Sequence, residues 1–251
     1  MSIYYTAQRK TRIFNPSDKE PFLISRSGIE LFMECPRCFY LDKRKGVARP
    51  NGFPFSLNNA VDALLKKEFD VHRATGSKHP LVKAYGIDAI PYANEKLEEW
   101  RDSRTRGIKF VHEPTNLAIH GGIDDIWINP QNELHIVDYK ATSKSGEVNL
   151  DADWQISYKR QVEVYQWLFR KNGFKVSDTA YFVYCNGNAD KEAFDGKLEF
   201  DVKIIPYVGN VNWIEGALGD IKKTLISDET PDPDPDCDYC KYRFAMKRIE
   251  K

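Results

Sequence analysis

The tripeptide Asp138-Tyr139-Lys140 stands at the end of an apolar run that includes Leu134, Ile136 and Val137. On a β-strand alternate side chains share a face, so Asp138 and Lys140 project together while Tyr139 projects to the other side. A carboxylate beside an ammonium suits phosphodiester chemistry. The acid can bind a hard divalent cation, and the lysine can orient a nucleophile and offset charge growing on a phosphate. A lone Asp-x-Lys is most often a salt bridge on a solvated sheet face. Two further features set this one apart. Gly121-Gly122-Ile123-Asp124-Asp125 lies one strand earlier. There, strand alternation puts Asp124 on the face of Gly122 and Asp125 on the opposite face, and the glycines leave space for a ligand's backbone. Asp124 and Asp138, converging across a hairpin, would form a two-carboxylate site for Mg²⁺ or Mn²⁺, a cation that keeps several waters and lowers the pKa of one. The helix that follows carries Gln161 and Tyr165 at i, i+4, on one face.

A second constellation is made of thiols. Cys35-Pro36-Arg37-Cys38 and Cys237-Asp238-Tyr239-Cys240 are two C-x-x-C pairs near opposite ends of the chain. Closing on one centre, they supply the four thiolates of a structural Zn²⁺ or an iron-sulfur cluster, and so clip the termini together. Cys185, in the apolar run Tyr181 to Tyr184, reads as an inert core thiol.

The elements that must position these groups follow from periodicity. Ser25 to Lys43 reads as a helix, with Ser25 or Ser27 as its cap and Glu30 at the capping-box spacing from Ser27. Asn51 to Pro54 breaks the chain. Ser56 to Phe69 then reads as an amphipathic helix through Leu57, Val61, Leu64, Leu65 and Phe69. Asp70 to Gly107 is interrupted by Gly and Pro around one short charged helix at Asn94 to Arg104. Three antiparallel strands follow at Ile108 to Glu113, Ala118 to Ile128 and Glu133 to Lys140, the last two joined by the turn Asn129 to Asn132. Trp154 to Lys171 is a helix stopped by Asn172-Gly173, with Ile156, Val162, Val164, Tyr165, Leu168 and Phe169 on its apolar face. Two strands, Thr179 to Cys185 and Leu198 to Ile205, precede a final helix at Val211 to Ile226. The alternating prolines of Pro231 to Asp236 then make an extended strap.

The chain of 251 residues, with 37 Lys+Arg against 37 Asp+Glu and 13% aromatic residues, suits one well-packed domain. A balanced charge removes the simple electrostatic argument for a non-specific polyanion binder but leaves room for a local basic groove. No run is long and apolar enough for a membrane span, and Met1 to Glu20 lacks a signal peptide's apolar stretch, so a cytoplasmic protein without membrane partners is expected. Two cationic clusters offer phosphate contacts: Lys43, Arg44 and Lys45 with Arg49, and Arg101, Arg104 and Arg106 with Lys109. Phe53, Phe55, Tyr85 and Tyr92 could stack on single-stranded bases or pack in the core. His120 reads as a packed or surface strand histidine.

Taken together, Gly121-Gly122-Ile123-Asp124, Asp138-Tyr139-Lys140 and Gln161 with Tyr165 resemble the G-x-x-D, D/E-x-K and Q-x-x-x-Y elements of the PD-(D/E)XK nuclease superfamily. Within it they are most like the RecB-like nucleases, which include CRISPR-associated enzymes and helicase-linked exonucleases. The resemblance implies that Asp124 and Asp138 bind metal with the backbone carbonyl of Tyr139, that Lys140 serves catalysis, and that Gln161 and Tyr165 hold DNA or the site. Such nucleases usually carry a histidine on the upstream helix. This chain has Leu57 to Leu65 there without one, and Asp62 can substitute as an oxygen ligand. Many relatives hold a four-iron cluster on one upstream and three downstream cysteines. Here Met246 stands where the last is expected, Cys38 can supply the fourth thiolate, and the cluster (4Fe-4S) is favoured over zinc.

The reading is therefore a restriction-endonuclease-like α/β fold, with a central mixed sheet flanked by helices. It forms one domain over 1–251, with a helical insert at 52–107 and a cysteine-bearing segment at 231–251. The expected activity is Mg²⁺- or Mn²⁺-dependent hydrolysis of DNA, on single strands or strand ends, in repair, end processing or CRISPR adaptation. The rivals are a catalytically silent nucleic-acid-binding module and a mobile-element protein acting through a protein partner.

Overall fold

The structure is a computed structural model that describes residues 8–50, 52 and 56–250. Phe53, Phe55 and most of the Asn51 to Pro54 breaker lie outside the described residues. The first elements are β1 (Phe22–Ser25), α1 (Arg26–Glu34), α2 (Pro36–Lys45), α3 (Ser56–Thr75), α4 (Pro80–Ala84), β2 (Ile90–Pro91) and α5 (Leu97–Arg101). The strands β3 (Ile108–His112), β4 (Leu117–Gly121), β5 (Asp125–Ile128) and β6 (Leu134–Thr142) follow. The chain continues through α6 (Ile156–Lys171), β7 (Thr179–Gly187), β8 (Phe200–Val208), α7 (Trp213–Ile226) and α8 (Asp238–Ile249). This is the expected α/β architecture of mixed sheet flanked by helices, but the strands form two sheets rather than one, within two compact units. Among the described residues no helix is long and apolar enough to cross a membrane.

One unit comprises the described parts of Met1–Phe53 with Phe110–His120 and Asn212–Lys251. Its sheet has the order β1-β4-β3, and β1 runs parallel to β4 with Phe22 opposite Leu117 and Ser25 opposite His120. Helices α1 and α2 pack on α7 over a core that includes Ile24, Ile29, Phe39, Ile214 and Leu218. The single helix expected over Ser25 to Lys43 is two. Ser25 caps the first, its hydroxyl accepting the Gly28 N–H at 3.1 Å. Cys35 is then extended, because Pro36 cannot continue a helix yet suits the first position of a new one. The helix α8 was not expected at all. Its Tyr242 and Ile249 are exposed, so it has little of the apolar periodicity by which a sequence announces a helix.

The other unit comprises the described parts of Pro54–Lys109 with Gly121–Val211, and its sheet has the order β2-β5-β6-β7-β8. Only β6 and β7 are parallel, with Asp138 opposite Phe182 and Lys140 opposite Tyr184. The strand expected over Ala118 to Ile128 is therefore divided at the double glycine, β4 joining the first sheet and β5 the second. The β5–β6 turn is as expected. Asn132 takes the left-handed conformation (φ 58°), and the Asn129 side chain accepts the N–H groups of Gln131 and Glu133.

On one face of this sheet Trp127, Val137, Tyr139, Val183 and Cys185 pack on Leu65 and Phe69 of α3. Each such large side chain contributes roughly 1.5–3 kcal/mol by leaving water. Strand alternation turns Asp138 and Lys140 to the other face, where α6 lies. The expected apolar stripes are only partly buried. Leu57 and Leu64 of α3 are 58% and 63% exposed, and Ile156, the first residue of α6, is 44% exposed. Helix α6 stops as expected, with Gly173 left-handed at φ 85°.

Candidate active site

Residues 122–124 bridge the two sheets' strands without belonging to either, and four hydrogen bonds fix them. The Ile123 N–H donates to the Trp100 carbonyl (3.0 Å), and the Tyr165 hydroxyl donates to the Gly122 carbonyl (2.6 Å). Arg101 Nε donates to the Asp124 carbonyl (3.1 Å), and the Asp124 carboxylate accepts the Tyr139 N–H at 3.0 Å. A Cβ at Gly122 would lie 2.6 Å from the backbone of Ser103. The space expected there for a ligand is thus filled by the chain itself, which is why only glycine fits.

The contact between Asp124 and Tyr139 brings the two acids together, because the Tyr139 amide is the peptide that follows Asp138. A strand residue's N–H and C=O face the same side, so the Tyr139 carbonyl also faces the Asp124 side of β6. Asp138 is 2% exposed and is ion-paired with Lys140. The Lys140 ammonium lies 4.5 Å from the ring centroid of Tyr158 on α6, which holds it against the face of the sheet.

Asp62 of α3 joins this group through a residue the sequence reading passed over. Lys66 Nζ lies 2.8 Å from Asp62 Oδ2 and 3.5 Å from Asp124 Oδ1. Burial pushes the Asp62 carboxyl above its ordinary range, and the charge of Asp124 pushes it further than Lys66 and Arg101 can offset. Lys66 was legible only as the i+4 partner of Asp62, a pattern too common on helix surfaces to draw notice.

Asp125, expected to point away from Asp124, does so and is fully buried. One of its carboxylate oxygens accepts from Arg73 and, at 3.2 Å, from Arg101, while the other accepts the Tyr139 hydroxyl at 2.7 Å. Arg101 also forks onto Asp70 at 2.8 and 3.0 Å. Burial first, and then Asp125, raise the Tyr139 phenol well above its ordinary value, so it stays a donor. Arg101, expected among the phosphate-binding cations, is instead committed to this buried network with only 8% of its side chain exposed.

Gln161 is half-buried on α6, one turn before Tyr165, as its spacing requires. Arg104 is exposed, and Arg106 pairs with Asp102 at 3.0 Å. In the unit that contains α2, Lys43 pairs with Asp42 at 2.9 Å and Arg44 with Asp228 at 3.3 Å. Lys45 lies over the Tyr40 ring. Tyr92 is used by the fold, its carbonyl accepting from Arg73 and its hydroxyl from Asn94, whereas Tyr85 is exposed. Burial, then Glu68, push the Cys185 thiol up to about 11, which makes it the inert core thiol expected.

Cys35, Cys38, Cys237 and Cys240 are all buried, with their sulfurs within 4.8 Å of one another. The two C-x-x-C pairs, far apart in sequence, therefore meet at one centre.

The family model that matches this chain describes the PD-(D/E)XK nuclease superfamily and spans residues 23–245. No curated protein matches the chain. Among solved structures, one titled "Crystal structure of SSO0001" is similar at 16% identity and a TM-score of 0.40, over 90% of this chain and 86% of that one.

Proposed function

We propose, from the premise that this chain belongs to the PD-(D/E)XK nuclease superfamily, that it is a Mg²⁺- or Mn²⁺-dependent nuclease acting on DNA. The observation that carries the reading is the Asp124 carboxylate accepting the Tyr139 N–H, on the peptide that follows Asp138, which sets the two acids of the motif on neighbouring groups of the chain. The groups proposed to hold the cation, Asp124 and Asp138 with the Tyr139 carbonyl and Asp62, offer only oxygens. That set fits a hard divalent cation, and the two lysines among the acids mark where positive charge is wanted. Such a cation supplies water activation and neutralises phosphate charge.

The chain's own residues do the rest. Lys140, held between Asp138 and the Tyr158 ring, is placed to orient the nucleophile and stabilise negative charge on the phosphate. Tyr165 fixes the Gly122 carbonyl and so the position of Asp124, and Gln161 on the same helix face contacts the strand. Lys66 pairs with both Asp62 and Asp124, supplying between them the positive charge that a bound cation would supply there. Arg104 and Arg106 contribute phosphate contacts beside the site. Contacts of this kind carry no sequence preference, so the feature recognised is a strand end or an unpaired strand rather than a base sequence in duplex. DNA repair, end processing or CRISPR adaptation are the fitting roles, with a protein partner possible in each.

The test is cleavage of labelled single- and double-stranded DNA in Mg²⁺, Mn²⁺ or EDTA by wild type, Lys140→Ala and Asp124→Ala. Metal-dependent cleavage that both variants lack is expected. DNA binding without cleavage by folded wild type would favour a silent binding module, and cleavage retained in both variants would place the chemistry elsewhere.

A further inference from the structure

The four cysteines are held by two copies of one local device. Cys35 stands immediately before α2 and Cys38 lies in its first turn. Cys237 stands before α8, and Cys240 lies in the first turn of that helix. Each pair therefore wraps a helix N-terminus, where the unpaired N–H groups and the helix dipole favour thiolate over thiol.

The distances between sulfurs discriminate between the two centres that four thiolates can make. Cys38 Sγ lies 3.6 Å from Cys237 Sγ and 3.8 Å from Cys240 Sγ, and Cys35 Sγ lies 3.9 Å from Cys240 Sγ. These are far too long for disulfides, whose sulfurs are roughly 2 Å apart. Four sulfurs at the corners of a tetrahedron about one zinc ion, with Zn–S of about 2.3 Å, stand about 3.8 Å from one another. In a four-iron cluster each thiolate sits on a different iron, so the whole iron-sulfide core separates the sulfurs. A group whose members all lie within 4.8 Å of one another has no room for that core.

The geometry points to a single four-coordinate zinc ion at Cys35, Cys38, Cys237 and Cys240, in place of the iron-sulfur cluster that the resemblance favoured, with Arg49 as the residue that offsets its charge. Four thiolates around one Zn²⁺ carry a net charge of two minus in a buried setting, which requires a nearby cation or donors. Arg49 answers that requirement. Its Nη2 donates to Cys237 Sγ at 3.4 Å, its guanidinium stacks 4.6 Å from the Tyr239 ring centroid inside the second C-x-x-C pair, and Glu34 anchors its other side. Arg49 was expected among the phosphate-binding cations. Its contacts place it at the cysteines instead. Zinc has no redox chemistry, so the centre is a structural clip that ties the stretch before α2 to the stretch before α8.

The assignment is independent of the nuclease reading, because its readouts need neither DNA nor cleavage. The full chain, purified without oxygen, is analysed for zinc, iron and acid-labile sulfide, and its visible spectrum is recorded. The expected result is equimolar zinc, no sulfide and no colour. Apoprotein given Co²⁺ should then show the absorption of a tetrahedral four-thiolate site. Iron with matching sulfide and a brown chromophore would overturn the assignment. For Arg49, zinc release to a chromogenic chelator is compared among wild type, Arg49→Lys and Arg49→Met. Release is expected about tenfold faster in Arg49→Met, with partial rescue by Arg49→Lys. Wild-type release by Arg49→Met would remove Arg49 from the site. The wild-type metal content needs no variant, so the zinc assignment stays testable even where a substitution unfolds the chain.

Discussion

Asp124 and Asp125 are neighbours in sequence and opposites in use. Asp125 is wholly buried and receives two guanidiniums and a phenol, so its oxygens are saturated by fixed donors of the fold. Asp124 is partly exposed, and its side chain meets a backbone N–H and one lysine. Guanidiniums bind carboxylates through rigid forks and are weakly hydrated, which suits permanent pairing. An ammonium is a mobile point charge that a divalent cation can displace. The identity of the partner cation thus separates the acid used by the fold from the acid proposed to bind metal, where acidity and position do not.

The largest effect that would sharpen this contrast is on stability. Asp125→Ala leaves Arg73 and Arg101 with the partly exposed Asp70 as their remaining shared anion and takes the acceptor from the buried Tyr139 hydroxyl, and should cost about 3–5 kcal/mol. At roughly 2–4 °C per kcal/mol for a chain of this size, thermal unfolding would show it plainly. Lys140→Ala takes the ion-pair partner from the nearly buried Asp138 and should also lower the melting temperature, but its larger effect is on single-turnover cleavage, which should fall about 10²–10³-fold with the loss of one charge-stabilising group. Tyr165→Phe removes the hydrogen bond to Gly122 and should lower stability by about 1 kcal/mol, with cleavage falling about tenfold through misplacement of Asp124. Lys66→Met removes the competing ammonium and should tighten Mn²⁺ binding about fivefold, the equivalent of roughly 1 kcal/mol for a partly exposed pair. Weaker binding would show that Lys66 builds the site rather than occupying it.

The smallest effect concerns pH. Burial would raise the Asp70 carboxyl, but hydrogen bonds and charge from Arg101 and Arg73 outweigh it and hold the group below its usual range. An acid whose pKa is lower folded than unfolded adds stability above its unfolded value. That stability is lost as pH falls through the folded one. Asp70→Asn should therefore weaken the protein slightly at neutral pH and flatten the loss of stability below about pH 4, as followed by unfolding at stepped pH.

The local arrangement of the candidate site was legible where it rests on short-range spacing, and the frame around it less so. The two-residue period of Asp138 and Lys140 and the i, i+4 spacing of Gln161 and Tyr165 are local rules, and local rules survive folding. The division of Ala118 to Ile128 between two sheets was signalled by Gly121-Gly122, but a glycine pair inside a run of strand residues reads equally as a bulge or a close approach, and which strands each half joins depends on partners distant in the chain. Arg101 and Arg49 were misread for the same reason. Sequence shows a cation but not which anion it meets, and both meet partners distant in the chain. Cys38 was recognised as part of the fourfold set, yet the choice of centre needed distances between sulfurs that spacing does not contain.

The most direct test of the central claim is Mn²⁺ binding, followed by the loss of the free-ion paramagnetic signal, for zinc-loaded wild type, Asp124→Asn and Asp125→Asn, each with its melting temperature. The account predicts that Asp124→Asn abolishes binding and melts like wild type, while Asp125→Asn melts lower but still binds when folded. Wild-type binding by Asp124→Asn, together with its loss in folded Asp125→Asn, would contradict the assignment of the two acids.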